Sequence, residues 1–546
     1  MVPAVTTAQG EPAPAASRVY PVDFTATIPE LWARAVDRFA DRVLIASLEE
    51  ETTFGQIEAR SRALAKRLLA DGVGKGTRVG VLFPQGSEWV VAFLAAARIG
   101  ALVMPFSTFY KPAELAKGLR MSDTEVLLIP PTMFGKDMVG FVGEAVPGLG
   151  AVTSRPIYTA EVPYLRSVVV LGTASAPWAS SFDEDAASPI GDDLLAAVES
   201  EVTPSDLLIT LFTSGTTAAP KGVVHSHGGL VRHSANLTDL TMLSEKDNVF
   251  AGMPFFWIGG LSTTLLPAIH VGGKVLTQGR FESGEALKTL EKFAATRLIA
   301  WPTLRQRLRA DPDYDKYDLS TVGAFPSVDG RRHSSLGMTE TAGPHTLPRV
   351  TENLSPLPEH LYGSFGPPVP FVEHRIADPV TNETLTGEQV GEICVRGYSV
   401  MQGMYKRERE EVFDADGWYH TGDRGYFKEG FLIFEGRASE MIKSAGSNVS
   451  PREVESELES LSEIESAWVF GFPDAERGET VVAGLLTVGD VDLDAVKALM
   501  TERLSSYKVP REIVLLSKDD IPLLATGKAD RLAVREMVRR QTGRQG

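Results

Sequence analysis

Apolar residues in the N-terminal half of the chain alternate between helical and strand spacing. Residues 54–70 place Ile57, Leu64 and Leu68 on one helical face and are followed by Gly72, a natural stop, so a helix is expected there. Arg78 to Phe83 reads as a short strand, Trp89 to Ile99 as a helix, Ala101 to Pro105 as an extended segment and Glu125 to Ile129 as another buried strand. Strands alternating with helices predict parallel sheets covered on both faces. Residues 173–193, rich in Ala, Ser and Pro, read as a surface loop. Asp206 to Phe212 (DLLITLF) reads as a strong buried strand, followed by a polar loop and then a helical stretch beginning near Gly228.

The pattern changes between Phe434 and Lys443. A Lys- and Gly-containing turn leads into a helix from Pro451 to Leu461, strands at Ala467–Phe472 and Thr480–Val488, and a helix from Leu493 to Leu504. That is a compact α+β unit the size of a small domain. The expected organisation is a disordered tail over 1–20, a large domain over 21–436, a hinge at 437–439 and a small C-terminal domain over 440–546. The fold class is α/β: a large N-terminal domain with helix-covered, mainly parallel sheets, and a small mobile α+β domain. No internal repeat is visible.

Length and composition narrow the function. A chain of 546 residues is too long for one core, and 43% hydrophobic content is ordinary for a globular enzyme. The formal net charge of -17 disfavours nucleic acid and anionic lipid as partners. Anionic ligands would need local donors and a few placed Lys or Arg. The single cysteine, Cys394, excludes an intrachain disulfide framework and a cysteine-rich metal site, which fits a reducing compartment. Met1 to Arg18 lacks a basic start and an apolar core, so it does not read as a signal peptide. The apolar stretch from Val90 to Met104 is interrupted by Arg98 and Gly100, and no run is suited to span a membrane.

The densest chemistry follows the strand at 206–212. Thr213, Ser214, Gly215, Thr216, Thr217, Ala218, Ala219, Pro220, Lys221 and Gly222 put four hydroxyls, two glycines and one lysine into ten residues. Such a loop can wrap a polyphosphate with backbone N–H and hydroxyl groups, with Lys221 as counter-charge. It is not a Walker loop, because Lys221 is followed by Gly222 and the glycine spacing differs. By composition alone it is a Ser/Thr-rich surface turn. Four further segments follow in order: Leu336-Gly337-Met338-Thr339-Glu340-Thr341; Tyr419-His420-Thr421-Gly422-Asp423 with Glu435-Gly436-Arg437; Met441-Ile442-Lys443-Ser444-Ala445-Gly446; and Thr526-Gly527-Lys528.

Together these segments, from about Ile28 to Arg535, closely resemble the acyl-adenylate-forming superfamily of acyl-CoA synthetases, luciferases and peptide-synthetase adenylation domains. The resemblance implies an AMP-forming acid–thiol ligase that uses ATP and Mg²⁺, with coenzyme A as acceptor. It assigns the loop from Thr213 to Lys221, with Gly337, Met338 and Thr339, to ATP and AMP, and Thr339 to the phosphate of AMP. Glu340 would help hold the metal, and Asp423 and Arg437 the ribose. Lys528 would be the adenylation lysine and Lys443 a further catalytic candidate. Ser439 would be the hinge residue, and Gly446 would line the tunnel for the pantetheine of coenzyme A. Phe256, Trp257 and Gly259 are candidates for the acyl pocket, and the aromatic cluster suggests a hydrophobic acid. Core packing is the ordinary reading for Phe255 and Phe256.

Three positions depart from the pattern. Relatives usually carry tyrosine where Leu336 stands and histidine where Trp257 stands. The segment Val322-Gly323-Ala324-Phe325-Pro326 replaces a Gly-Gly-Ala-Pro-like strand end, and its connection to Leu336 is short. Adenine must then be held differently. The acceptor could instead be an amine, giving an amide, or a carrier-protein thiol, although no carrier domain follows Lys528. A luciferase-like oxygenase would need a specialised substrate. A catalytically silent binding relative is disfavoured by retention of Lys221, Glu340, Asp423, Arg437 and Lys528. The expected location is the cytoplasm, and a homodimer is compatible with the sequence.

Overall fold

The structure is a computed structural model. It describes residues 22–213, 220–300, 302–322, 334–349, 357–437, 441–444, 447–474, 478–504, 508–524 and 529–544. Two mainly parallel sheets form the bulk of the molecule. The five-stranded sheet runs in the order Arg297–Ile299, Asn248–Ala251, Lys274–Leu276, Val43–Ala46, Glu51–Thr53, with only the last strand antiparallel to its neighbour. The eight-stranded sheet runs Gly403–Met404, Lys221–Ser226, Leu207–Thr213, Leu102–Pro105, Arg78–Val81, Val126–Ile129, Ser167–Leu171, Ala179–Phe182, and its last six strands are parallel.

Both sheets are covered by helices, so their strands are apolar on both faces. Leu102–Pro105 and Val126–Ile129 are buried at every position. The helix Ser87–Ala97 is buried almost all round, as its continuous apolar sequence requires. Arg98, at its C-terminal end, is buried and balanced by Glu58 at 3.0 Å and Glu199 at 2.5 Å. The helix Phe54–Ala70 is started by Thr53 and Gln56, which satisfy each other's backbone N–H groups in a capping box.

Two sequence readings need correction, and one sheet adds to them. The loop after Thr213 does not lead directly into a helix: a strand, Lys221–Ser226, intervenes and pairs antiparallel with Leu207–Thr213, and the helix starts at His227. Residues 173–193 are not wholly loop, because Ala179–Phe182 pairs as a parallel edge strand on Ser167–Leu171. A four-stranded antiparallel sheet, ordered Val372–Ala377, Gly391–Gly397, Tyr419–Lys428, Phe431–Arg437, was not anticipated at all.

Beyond Arg437 the chain builds a separate sheet in the order Ser447–Val449, Ile442–Ser444, Gly478–Thr487, Ile464–Asp474, with Glu512–Leu515 parallel to Gly478–Thr487. Its core is its own: Ile442, Val454, Leu458, Val469 and Met500 pack together on one face, and Phe472, Val482, Val534 and Val538 on the other. Ser450 caps the helix Pro451–Glu459 by accepting from the Glu453 N–H, and its hydroxyl also donates to the Glu435 carbonyl in the last strand of the four-stranded sheet. Burial and the nearby Glu453 carboxylate raise the pKa of Glu435 at this junction.

Candidate active site

Among the described residues, the candidates Thr213, Lys221, Thr339, Glu340, Asp423 and Arg437 lie where the hairpin 207–226, the turn at Thr339 and the four-stranded sheet meet. Thr213 and Lys221 stand opposite each other and close the hairpin. Ser214, Gly215, Thr216 and Thr217 lie outside the described residues. From the second strand of the hairpin, His225 Nε2 reaches the Thr339 carbonyl at 2.7 Å. The Glu340 carbonyl accepts the Met401 N–H at 2.8 Å, and the Val224 carbonyl accepts the Gln402 N–H at 2.8 Å. The backbone bearing Thr339 and Glu340 is thus tied to the hairpin from two sides.

Two glycines make the turn possible. A Cβ at Gly337 would lie 2.6 Å from the backbone of Gly343, too close for any side chain. Gly343 has φ of 111°, and a Cβ there would meet Ser262 Oγ at 2.7 Å. The helical segment carrying Ser262 is a π-turn, Leu261–Leu265, within the run that begins at Ile258. π-Turns of this kind recur at functional sites.

Asp423 is almost wholly buried, with its side chain 5% exposed, and pairs with Arg437 Nε at 3.1 Å from the neighbouring strand. Tyr419 lies four residues earlier in the same strand. Its hydroxyl donates to Glu340 Oε1 at 3.4 Å. Burial, Glu340 and Asp423 push its phenol well above the usual value, while Arg437 opposes them. Tyr419 therefore stays a neutral donor to the Glu340 carboxylate. Its part was not legible in the sequence, because it depends on cross-strand register. The same holds for His225.

Among the described residues no Lys or Arg forms an ion pair with Glu340. An oxygen donor set of this kind suits a hard cation such as Mg²⁺.

The aromatic residues divide. Phe255 is fully buried against Trp89, with ring centroids 5.5 Å apart, and belongs to the core. Phe256 and Trp257 form an edge-on pair at 5.4 Å, and both meet Phe109, at 6.1 and 6.2 Å. Phe109 is 47% exposed and lies beyond the carboxyl end of the strand Leu102–Pro105, where open α/β sheets bind ligands. Gly259 sits against the Met253 thioether, so a Cβ there would displace only the end of a flexible side chain.

Ser439, Gly446 and Lys528 lie outside the described residues, and Lys443 belongs to the strand Ile442–Ser444.

Four buried histidines lie in the adjoining elements: His225 in the strand Lys221–Ser226, His227 and His233 in the helix that starts at His227, and His345 in the strand Gly343–Thr346. His225 is held down to about 4 and His227 and His233 to about 3 by burial; burial and His374 hold His345 well below its usual value. Geometry adds an unprotonated acceptor nitrogen at two of these places. His227 Nδ1 accepts the Ile28 N–H at 3.1 Å, and His345 Nδ1 and His374 Nε2 share one hydrogen bond of 2.8 Å. The unfolded chain takes up these protons below about pH 6.5, while the folded chain refuses them until about pH 4. Stability is therefore present above pH 6.5 and falls with pH through that window, by about 1.4 kcal/mol per unit for each such histidine. Thermal unfolding is expected to shift to clearly lower temperature between pH 7.5 and 5, above the range where ordinary carboxylates titrate. Glu88, Glu435 and Glu459, raised by burial, work weakly in the opposite sense. A flat profile would contradict the neutral assignment.

Comparison with known proteins bears on the geometry just described. Residues 32–405 match the family model of the AMP-binding enzyme, and residues 453–528 that of the AMP-binding enzyme C-terminal domain. The chain is 30% identical over 533 residues to 4-coumarate–CoA ligase 5 of Oryza sativa subsp. japonica, covering 91% of this chain and 92% of that protein. It is 28% identical over 527 residues to the long-chain-fatty-acid–CoA ligase of Bacillus subtilis (strain 168), covering 92% and 93%. The fold is similar to the anthranilate CoA ligase AuaEII in complex with anthranoyl-AMP, with a TM-score of 0.77 at 21% identity over 96% of this chain and 99% of that one. With both family models matched in order along most of its length, the chain belongs to the AMP-binding enzyme family.

Proposed function

We propose that the protein is an ATP-dependent acyl-CoA ligase that activates a hydrophobic carboxylic acid. The carboxylate attacks the α-phosphorus of ATP, pyrophosphate leaves, and the CoA thiol then attacks the carbonyl carbon of the acyl-adenylate and expels AMP. The observation that carries this reading is the convergence of Thr339–Glu340, Tyr419 and the Asp423–Arg437 pair beside the Lys221 hairpin. Asp423 holds the ribose, with Arg437 as its counter-charge. Thr339 contacts the phosphate, and Lys221 neutralises the polyphosphate together with the loop 213–217. Glu340 would hold Mg²⁺, which supplies charge neutralisation for the departing pyrophosphate. Lys528 bridges the attacking carboxylate and the α-phosphate.

The chain's own thiol has no part in this reaction: burial pushes the Cys394 pKa up to about 11. The small unit, over 440–546, turns about Ser439 between the half-reactions and brings Gly446 and Lys443 to the CoA thiol. Substrates of this kind are available in the cytoplasm, and among the described residues no helix is long and apolar enough to cross a membrane.

Phe256 and Trp257, met by Phe109, form one wall of the acyl pocket. The two relatives above are named for acids as different as a coumarate and a long-chain fatty acid, so pocket shape, more than family, sets the substrate. Trp257→Ala is expected to move the preference toward bulkier acids, changing the ratio of kcat/KM between a large and a small acid by about tenfold or more. The ratio measured across a graded series of acids checks this, and an unchanged ranking contradicts a pocket role.

The proposal is tested by mass spectrometry of the products from purified protein, MgATP, CoA and a panel of hydrophobic acids. Acyl-CoA with AMP supports the ligase. Acyl-AMP without acyl-CoA moves the acceptor to an amine or a carrier-protein thiol. No pyrophosphate with any acid favours a silent relative.

A further inference from the structure

The antiparallel strands Gly391–Gly397 and Tyr419–Lys428 put three metal-ligating side chains on one face. Cys394 stands opposite His420 in register, and Glu392, two residues earlier, points to the same side. Cys394 Sγ is 3.5 Å from His420 Nδ1, and His420 Nδ1 is 2.8 Å from Glu392 Oε2. All three ligand atoms lie within 4.8 Å of one another, and no other group of three does so among the described residues.

The second coordination layer is also present. Asp414 Oδ2 is 3.4 Å from His420 Nε2 on the far side of the ring. Asp414 Oδ1 is fixed by the Asp416 and Trp418 N–H groups at 3.0 and 2.8 Å. A carboxylate behind a histidine orients the ring for a metal. On the neighbouring strands Arg375 stands opposite Cys394 and Arg424 opposite Glu392; Arg375 is engaged by Asp414 at 3.1 Å and Asn382 at 2.9 Å, and stacks on Trp418.

We propose that Glu392, Cys394 and His420 form a binding site for a soft divalent cation such as Zn²⁺, separate from the Glu340 carboxylate. The donor set of thiolate, imidazole and carboxylate matches zinc and not magnesium, which takes oxygen ligands and keeps its waters. On binding, the Cys394 S–H bond breaks, the sulfur–metal bond forms and the proton goes to solvent; no electron transfer is involved. Water completes the fourth position. Glu392 Oε1 meanwhile accepts the Gly422 N–H at 3.0 Å, and Gly422 precedes Asp423. A cation that draws Glu392 toward the sulfur weakens this hold on the turn bearing Asp423. Occupancy is therefore inhibitory toward nucleotide use, a consequence that rests on the ligase reading.

Cobalt titration of the full chain in the presence of excess Mg²⁺ tests the site. The chain has one cysteine, so a thiolate-to-cobalt charge-transfer band can arise only from Cys394. The expected result is a band that saturates at one equivalent, is displaced by Zn²⁺, and is absent in Cys394→Ser. Asp414→Asn should weaken zinc affinity about tenfold, measured against a chromophoric chelator. If Cys394→Ser does not fold, Glu392→Gln should show the weakened affinity instead. Wild-type protein with no such band, or zinc affinity unchanged by these substitutions, overturns the proposal and leaves a hydrogen-bonded trio only. Zinc inhibition of pyrophosphate release that is relieved in Cys394→Ser extends the proposal to regulation. Failure to release pyrophosphate with any acid in zinc-free buffer would sink the ligase reading, and the cobalt spectrum would still decide the site.

Discussion

Asp423→Ala is expected to lower kcat/KM for ATP about 100-fold while leaving the fold intact. The side chain is buried and held toward the site by Arg437. In the proposed reaction its carboxylate accepts two hydrogen bonds from the ribose diol. Hydrogen bonds to a charged group contribute about 1.5–3 kcal/mol each, so losing both costs about 3 kcal/mol or more, which is about two orders of magnitude. The ribose contact is the same before and during phosphoryl transfer, so the loss should appear mainly in KM for ATP and much less in kcat. Arg437 is half exposed and can be solvated once its partner is gone, so the stability cost should be small. Steady-state pyrophosphate release with ATP and with 2′-deoxyATP checks this. Wild type should discriminate strongly and Asp423→Ala hardly at all. Equal discrimination by both would remove Asp423 from the ribose.

Lys528→Ala should have the larger effect on turnover, about a thousandfold on adenylation. Two anions, the carboxylate and the α-phosphate, must be brought together, and negative charge builds as pyrophosphate departs. One preorganised donor at such a point contributes about 10²–10³ in rate. The two half-reactions separate the roles. Adenylation, followed by pyrophosphate exchange, should collapse, whereas thioester formation from supplied acyl-AMP should proceed nearly as in wild type. An equal fall in both, or in neither, would contradict the assignment.

Among the parts of the fold that were legible in the sequence are those buried on two sides. Val126–Ile129 and the helix Ser87–Ala97 are continuous apolar runs because helices cover both sheet faces, so their elements could be placed within a few residues. The four-stranded sheet over 372–437 escaped notice because its strands carry charges that are satisfied only across the sheet, as with Arg396 and Glu373 at 2.6 Å. Neither strand shows a clean alternation by itself. Lys221–Ser226 was missed for a related reason: its central valines are flanked by Lys221, Gly222, His225 and Ser226, a composition that resembles loop, and only pairing on both edges makes it a strand.

The candidate site was legible through the order of its motifs and not through any one residue. Thr339, Glu340, Asp423 and Arg437 could be named from that order. Tyr419, His225 and Phe109 could not be given their places. Each acts through a contact made by folding, with a partner far away in sequence: Tyr419 with Glu340, His225 with Thr339, Phe109 with Phe256 and Trp257.

The central claim is that a carboxylate is activated through an acyl-adenylate. With an acid from the panel that gives product, the carboxylate oxygens are labelled with ¹⁸O and the AMP is analysed by mass spectrometry. Attack of the carboxylate on the α-phosphorus leaves one labelled oxygen bridging carbon and phosphorus, and expulsion by the CoA thiol sends that oxygen out with AMP. One ¹⁸O per AMP is the predicted result. Unlabelled AMP, or ADP and phosphate in place of AMP and pyrophosphate, would contradict the account.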